Sequence, residues 1–147
     1  MKKIFQLTLT INNFKLLMKH YFTAGLSAFN KKKLFNELND ARIVSKDNLP
    51  LNVVRVGSKV LVRNIDKMQT YSVHIVGNNP DKAKTNRIPV SDPLAIALLG
   101  YSDGDQTEWE MNGGINRFEL ISVHQSNDDS ETALAEEHGN TLTYPAG

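Results

Sequence analysis

Four histidines, His20, His74, His124 and His138, are the first side chains to test for chemistry. They fall in four different segments, and no two stand at the spacing of a metal-binding pair. Without cysteine the chain has no disulfide, no thiolate metal site and no cysteine nucleophile. No serine sits in a GxSxG turn, so nucleophilic hydrolysis has no local signature. Gly113 and Gly114 read as a hairpin turn rather than a phosphate loop, because no helix follows them. Asp103, Asp105, Glu108 and Glu110 form an acidic group that a polar turn and an exposed strand face account for. Lys31, Lys32 and Lys33 open a helix at the end where cations oppose its dipole. They read as a solvated face or as a contact for an acidic surface. Basic residues and aromatics do not interleave on a strand, so a stacking platform for single-stranded nucleic acid is not supported. The residues thus point to binding rather than catalysis, with no cofactor, no metal and no small-molecule substrate expected.

The most heavily marked segment is SDPLAIALLG at 91–100. Asp92 or Ser91 can cap a helix, Pro93 suits its first turn, and Gly100 can close it. The residues between are all apolar, so the helix should be wrapped on most sides. Its corner, Ser91, Asp92 and Pro93, is then the part left to touch a partner.

Around this plug the periodicity sets out the rest. A helix is expected near 10–21, capped by Thr10, with Phe14, Leu17, Met18 and Tyr21 at helical spacing. A second is expected from Ser27 or Asn30 to about Ile43, with Leu34, Leu38 and Ala41 as its stripe and Phe35 beside it. Together they make a short antiparallel hairpin. A linker at 45–52 precedes a change from helical to alternating pattern. VVRVGSKVLVRN gives one or two strands, and TYSVHIVG another, with Tyr71, Val73 and Ile75 on one face. NNPDKAKTNR at 78–87 reads as a loop, and TEWEM and INRFELISV flank the NGG turn at 112–114. The fold class is α+β: a twisted, mainly antiparallel sheet around one short helix, preceded by a helical hairpin.

Charge divides the same way. Residues 1–50 carry a net +6, residues 51–124 balance, and residues 125–147 carry −5 with no base. Three regions are expected: the segment and hairpin of 1–47, a body at 48–124, and an acidic, disordered tail at 125–147. No apolar run approaches the roughly 20 residues that cross a bilayer. No signal peptide is read at the start, so a cytoplasmic location without membrane contact is expected.

The ordered set VRVGSKVLV, YSVHIVG and NRIPVSDPLAIALLGYSDGDQTEWEMNGGINRFELISV resembles the C-terminal domain of the Gre transcription elongation factors. The preceding AGLSAFNKKKLFNELNDARIVSKDNLPLNVV looks like the short-armed regulator of nucleoside diphosphate kinase, Rnk. The resemblance implies an FKBP-like fold. It also implies a partner, RNA polymerase, at the secondary-channel rim of its largest subunit, with nucleic-acid contact only indirect. The resemblance maps the family's contact onto Ser91, Asp92 and Pro93, with Lys31, Lys32 and Lys33 expected to assist. Gre factors often place an acid two residues before this proline, where Ser91 stands here.

Gre factors carry a long coiled-coil arm whose acidic tip holds a magnesium ion and provokes transcript hydrolysis. Here the tip, YFTAGLSAFNKKK, has no Asp or Glu. An arm of about 12 residues per helix reaches only about 18 Å. The expectation is therefore an Rnk-like regulator that docks on the polymerase without cleavage activity. The alternative is a Gre-type elongation factor that stimulates transcript cleavage, and a lower one is a generic protein-binding module using the basic hairpin. Prolyl isomerase activity, the fold's other use, is not supported, because Tyr71, Tyr101, Trp109 and Phe118 are spread over separate elements.

Overall fold

A computed structural model of the chain describes residues 6–77, 86–111 and 113–125. Most of the loop read at 78–87, Asn112 of the NGG turn, His138 and the acidic tail from 126 lie outside the described residues.

The chain opens with a two-residue strand, β1 (Thr8–Leu9), and turns into α1 (Ile11–Thr23). Thr10 caps α1 as expected, its side chain accepting from the Asn13 N–H. After Gly25, which has a positive φ of 64°, Ser27 caps α2 (Ala28–Asn39) through the Asn30 N–H. The second helix stops four residues short of Ile43. Arg42 and Ile43 instead form β2 (Arg42–Ile43), parallel to β1. Two-residue strands are too short to show alternation, so β1 and β2 left no periodic trace in the sequence. A 3-10 turn, Lys46–Asn48, then leads through Leu49 and Pro50 to the body. The Arg55 guanidinium fastens this linker by donating to the carbonyls of Leu49 and Pro50, at 3.2 and 2.7 Å.

The body is a five-stranded sheet of β3 (Ser58–Asn64), β4 (Gln69–Val76), β5 (Arg87–Pro89), β6 (Gln106–Met111) and β7 (Gly114–Gln125). Its order is β5-β4-β3-β7-β6, antiparallel throughout except for the parallel β4 and β5 pair. VVRVGSKVLVRN therefore yields one strand, preceded by Gly57 at φ 102°. Val60, Val62, Tyr71, Val73 and Ile75 face inward by strict alternation, with Trp109, Phe118 and Leu120 from the far strands. Between Leu61 and Val62 the register with β7 shifts, a bulge that sharpens the local twist.

Against the inner face lies α3 (Pro93–Leu98), whose residues Leu94, Ala95, Ile96, Ala97 and Leu98 are all buried. A six-residue helix is far too short to persist alone, so burial on every side is what holds it. Leu7 and Leu9, flanking and within β1, seal it from the other direction and join the same core as Leu17, Leu34 and Leu38 of the hairpin. The hairpin is thus part of the body's packing, and the core crosses the boundary read at 47. Among the described residues, no helix is long and apolar enough to cross a membrane.

Candidate partner-binding site

Ser91 and Pro93 are exposed and Asp92 half-buried, so the corner of the plug helix does reach the surface. Its shape is fixed from within. Asp92 takes an extended backbone and its Oδ1 accepts from the Leu94 N–H at 2.9 Å. The Asp92 N–H donates to the Pro89 carbonyl at 2.9 Å, closing the turn out of β5. Pro93 occupies the first helical turn, where its missing N–H costs nothing. The carboxylate is therefore a helix cap first, and one whose remaining surface borders exposed Ser91 and Pro93.

Behind the corner stands His20, in the last turn of α1 and 8% exposed. Its ring hydrogen-bonds the Val90 backbone, while its Nε2 is buried without a partner. Burial, aided by the positive charge of Lys19, holds its pKa below the ordinary 6.5, and the Val90 bond opposes this only in part. A neutral imidazole thus props the residue next to Ser91 against the hairpin.

The three lysines separate. Lys31 and Lys32 are exposed on the outer side of α2. Lys33 turns inward: its Nζ donates to Glu37 Oε2 at 2.8 Å, Tyr101 Oη at 2.8 Å and Thr107 Oγ1 at 2.9 Å. It also lies over the Tyr101 and Trp109 rings, at 5.2 and 5.8 Å from their centroids. The Tyr101 hydroxyl donates to the same Glu37 oxygen, and burial beside that carboxylate drives its pKa far up, so it stays protonated. Three acceptors around one ammonium make Lys33 a clamp between hairpin and sheet rather than part of a solvated face.

A second clamp lies one turn earlier. Asn30 donates to the Glu110 carbonyl and accepts from the Glu110 N–H, both at 2.8 Å. Its amide imitates a neighbouring strand and closes the open edge of β6. Neither Asn30 nor the Lys33 network was found by sequence reasoning. The signal was the helical stripe itself, since Asn30, Lys33, Leu34, Glu37 and Leu38 share one face of α2.

On the other side of the hairpin Tyr21, Ala28, Lys31, Lys32 and Phe35 line a shallow open groove. Lys31 Nζ sits 5.3 Å above the Tyr21 ring, and Phe22 and Phe35 are 72% and 54% exposed. The tip between the helices, residues 24–27, reads AGLS and offers no carboxylate. Glu37 is committed to Lys33 and Tyr101, and no cluster of metal-ligating side chains occurs among the described residues. The described arm therefore does not fit the magnesium site of an acid-tipped Gre arm.

Comparison with known proteins bears on the body. The family described as "Transcription elongation factor, GreA/GreB, C-term" matches residues 49–125, just over half of the chain. Transcription elongation factor GreA of Helicobacter hepaticus is 34% identical over 86 residues, which cover 58% of this chain and 53% of that protein. GreA of Clostridium beijerinckii is 31% identical over 94 residues, covering 64% and 59%. The matches thus span little more than half the length of these relatives. A solved structure titled as a prokaryotic transcription elongation factor GreA/GreB from Nitrosomonas europaea superposes with a TM-score of 0.58. It covers 82% of this chain and 99% of its own, at 23% identity, and shows a shared fold. These relatives bear the GreA name, which overturns the expectation of an Rnk-like regulator without cleavage activity and favours the alternative, a Gre-type elongation factor. Sheet, plug helix and family match agree, and the chain belongs to the GreA/GreB transcription elongation factor family, through its C-terminal domain.

Proposed function

We propose that this chain is a Gre-type transcription elongation factor that acts on RNA polymerase, docks at the secondary-channel rim of its largest subunit and stimulates transcript cleavage by its position there, the described hairpin supplying no magnesium ligand of its own. It is an accessory protein, and the reaction belongs to the polymerase. The observation that carries the reading is the exposed corner of Ser91, Asp92 and Pro93 on a body that the family matches from 49 to 125. The residues of this chain act by position. Asp92 and Pro93 shape the docking corner, His20 props it, and Asn30 and Lys33 hold the hairpin in one direction relative to it. Exposed Lys31 and Lys32 suit an acidic patch of the polymerase. The sheet curled round α3 supports an FKBP-like fold. Kinship with Rnk rests on the short hairpin and on the linker at 47–54, and concerns arm length rather than activity.

The test is a cleavage assay on stalled polymerase carrying end-labelled RNA. Added protein is expected to shorten the transcript, and the double variant D92A/P93A to need at least tenfold more protein for the same effect. RNA left at full length at saturating protein would defeat the cleavage reading. Undiminished capture of core polymerase by the double variant would remove the corner as the docking site.

A further inference from the structure

The hairpin has a second face that the body does not use. The inner stripe of α2, with Asn30, Lys33, Leu34, Glu37 and Leu38, is spent on the clamps and the core. Ala28, Lys31, Lys32 and Phe35 stand at i, i+3, i+4 and i+7, the same helical period carried on the other side. With Tyr21 of α1 they line the open groove, whose volume is about 390 Å³. That is at the small end of ligand clefts, about 300–1,000 Å³. Open on one side, it suits a side chain that enters from a partner's surface.

Two properties of the groove call for a complement. One is apolar. Phe22 stands edge-on to Tyr21 with centroids 5.0 Å apart, and Phe35 lies 6.0 Å from the same ring. A single exposed phenylalanine is ordinary, but rings in contact form a patch, and aromatic patches rimmed by polar groups mark binding surfaces. The other is charge. Residues 10–36 hold five lysines and no acid. Lys33 is taken by Glu37, whereas Lys15, Lys19, Lys31 and Lys32 are exposed. Lys31 and Lys32 belong to the groove itself, so its rim is cationic.

These properties choose the occupant. A second copy of this face would bring its own lysines, and like charges oppose the pairing. Successive bases of a nucleic acid need a run of free ring faces. Here the planes of Tyr21 and Phe22 cross at 87°, those of Tyr21 and Phe35 at 41°, and the Lys31 ammonium lies over Tyr21. A protein segment with carboxylates beside an apolar side chain meets both demands. Its apolar side chain covers the rings, and its carboxylates pair with the ammonium groups.

We propose that the groove between Tyr21 and Phe35 docks an acidic protein segment through an apolar anchor side chain, with Lys31 and Lys32 as its ion-pair partners. The proposal deepens the reading above, in which these two lysines suit an acidic patch of the polymerase, and rests on it for the partner's origin alone. It adds an apolar contact that a count of charges does not supply. The contact lies on the hairpin and involves none of Ser91, Asp92 and Pro93.

The probe is a fluorescein-labelled peptide of Asp and Glu with one Phe and one Leu at its centre, titrated with the full-length protein and read by anisotropy. Saturable binding at low salt is expected, weakened at least tenfold by K31Q/K32Q and at least threefold by F22A/F35A. All four side chains are exposed, so neither pair opens the core. K46Q/K67Q removes two exposed lysines elsewhere and should bind as the unaltered protein does. The peptide with Ser in place of Phe and Leu should bind at least threefold more weakly. Amide shifts in the unaltered protein need no substitution. They are expected at Tyr21 and over 28–35, and not at Leu61 and Ser122, which pair on the outer face of the sheet. Each of five results would overturn the proposal: no saturable binding, equal weakening by K46Q/K67Q, full-strength binding of the serine peptide, shifts that miss the groove, or tighter binding of an oligouridylate of the same length, which would assign the face to nucleic acid. The assay contains no polymerase, so its failure leaves the cleavage reading standing, and full-length RNA in the cleavage assay leaves the groove standing.

Discussion

Lys33 and its neighbour Lys32 are the same residue type one position apart on α2, yet they meet different surroundings. Lys32 points to solvent, while Lys33 gives its ammonium to Glu37, Tyr101 and Thr107. Removing Lys33 leaves a half-buried carboxylate and two hydroxyls without their common donor. K33A is therefore expected to cost about 1–3 kcal/mol, the range for a buried polar group deprived of a charged partner. K32A should stay within about 0.5 kcal/mol, as exposed positions usually do. Urea denaturation of both variants measures the difference, and equal midpoints would mean that the clamp carries no net stability. The contrast also shows what was legible. A run of three lysines reads as one basic patch when charge is counted along the chain. Only the 3.6-residue period, applied to polar as well as apolar positions, separates Lys33 from the other two. Asp92 was legible as the helix cap, since a cap depends on local sequence alone.

At the scale of elements, the plug helix was clear because its marks are local: a capping acid, a proline at the first turn, an apolar run and a closing glycine. What closes on it from the N-terminal side was not. Thr8 donates to the Gly100 carbonyl at 3.2 Å, and the Gly100 N–H donates to the Val54 carbonyl at 3.0 Å, so three segments distant in sequence meet at this residue. Gly100 does have the positive φ expected of a helix-closing glycine, 88°. A second constraint is invisible in the sequence: a Cβ there would stand 2.9 Å from Leu9 Cδ2 and 3.2 Å from Leu7 Cβ. Gly104 isolates the first constraint, because its φ is 84° and nothing lies within 4 Å of a Cβ added to it. G104A is expected to cost about 1 kcal/mol for backbone strain. G100A must in addition push β1 off the plug, and should cost at least about 1–2 kcal/mol more, in the range of overpacked cores. Thermal or urea unfolding of the pair checks this. Equal losses would show that Leu7 and Leu9 give way freely, and that β1 is a loose cover rather than a wall of the core.

For the whole molecule, the union of hairpin and body makes stability depend on pH through one imidazole. His20 lies on the hairpin but bonds the Val90 backbone of the body, and the hairpin shares its core with the plug helix. Its folded pKa lies below the ordinary 6.5, chiefly because burial disfavours the charged ring. When the folded pKa of a base is depressed, the unfolded chain binds the proton more readily, so stability rises with pH. The contribution is complete above about pH 6.5 and declines as pH falls from there through the lower folded value. Protonation also places a charge on a ring whose Nε2 has no acceptor, so the cost falls on the join between α1 and the segment leading to Ser91. The melting temperature is expected to drop between pH 7.5 and pH 5, and H20Q, which does not titrate there, should show a shallower drop. Differential scanning calorimetry of the two proteins across that interval measures the difference. Parallel curves would assign the pH dependence to groups other than His20. If instead the slopes differ and polymerase capture by the wild type weakens over the same interval while H20Q holds, the hairpin, its histidine and the proposed docking corner respond to the proton as one body.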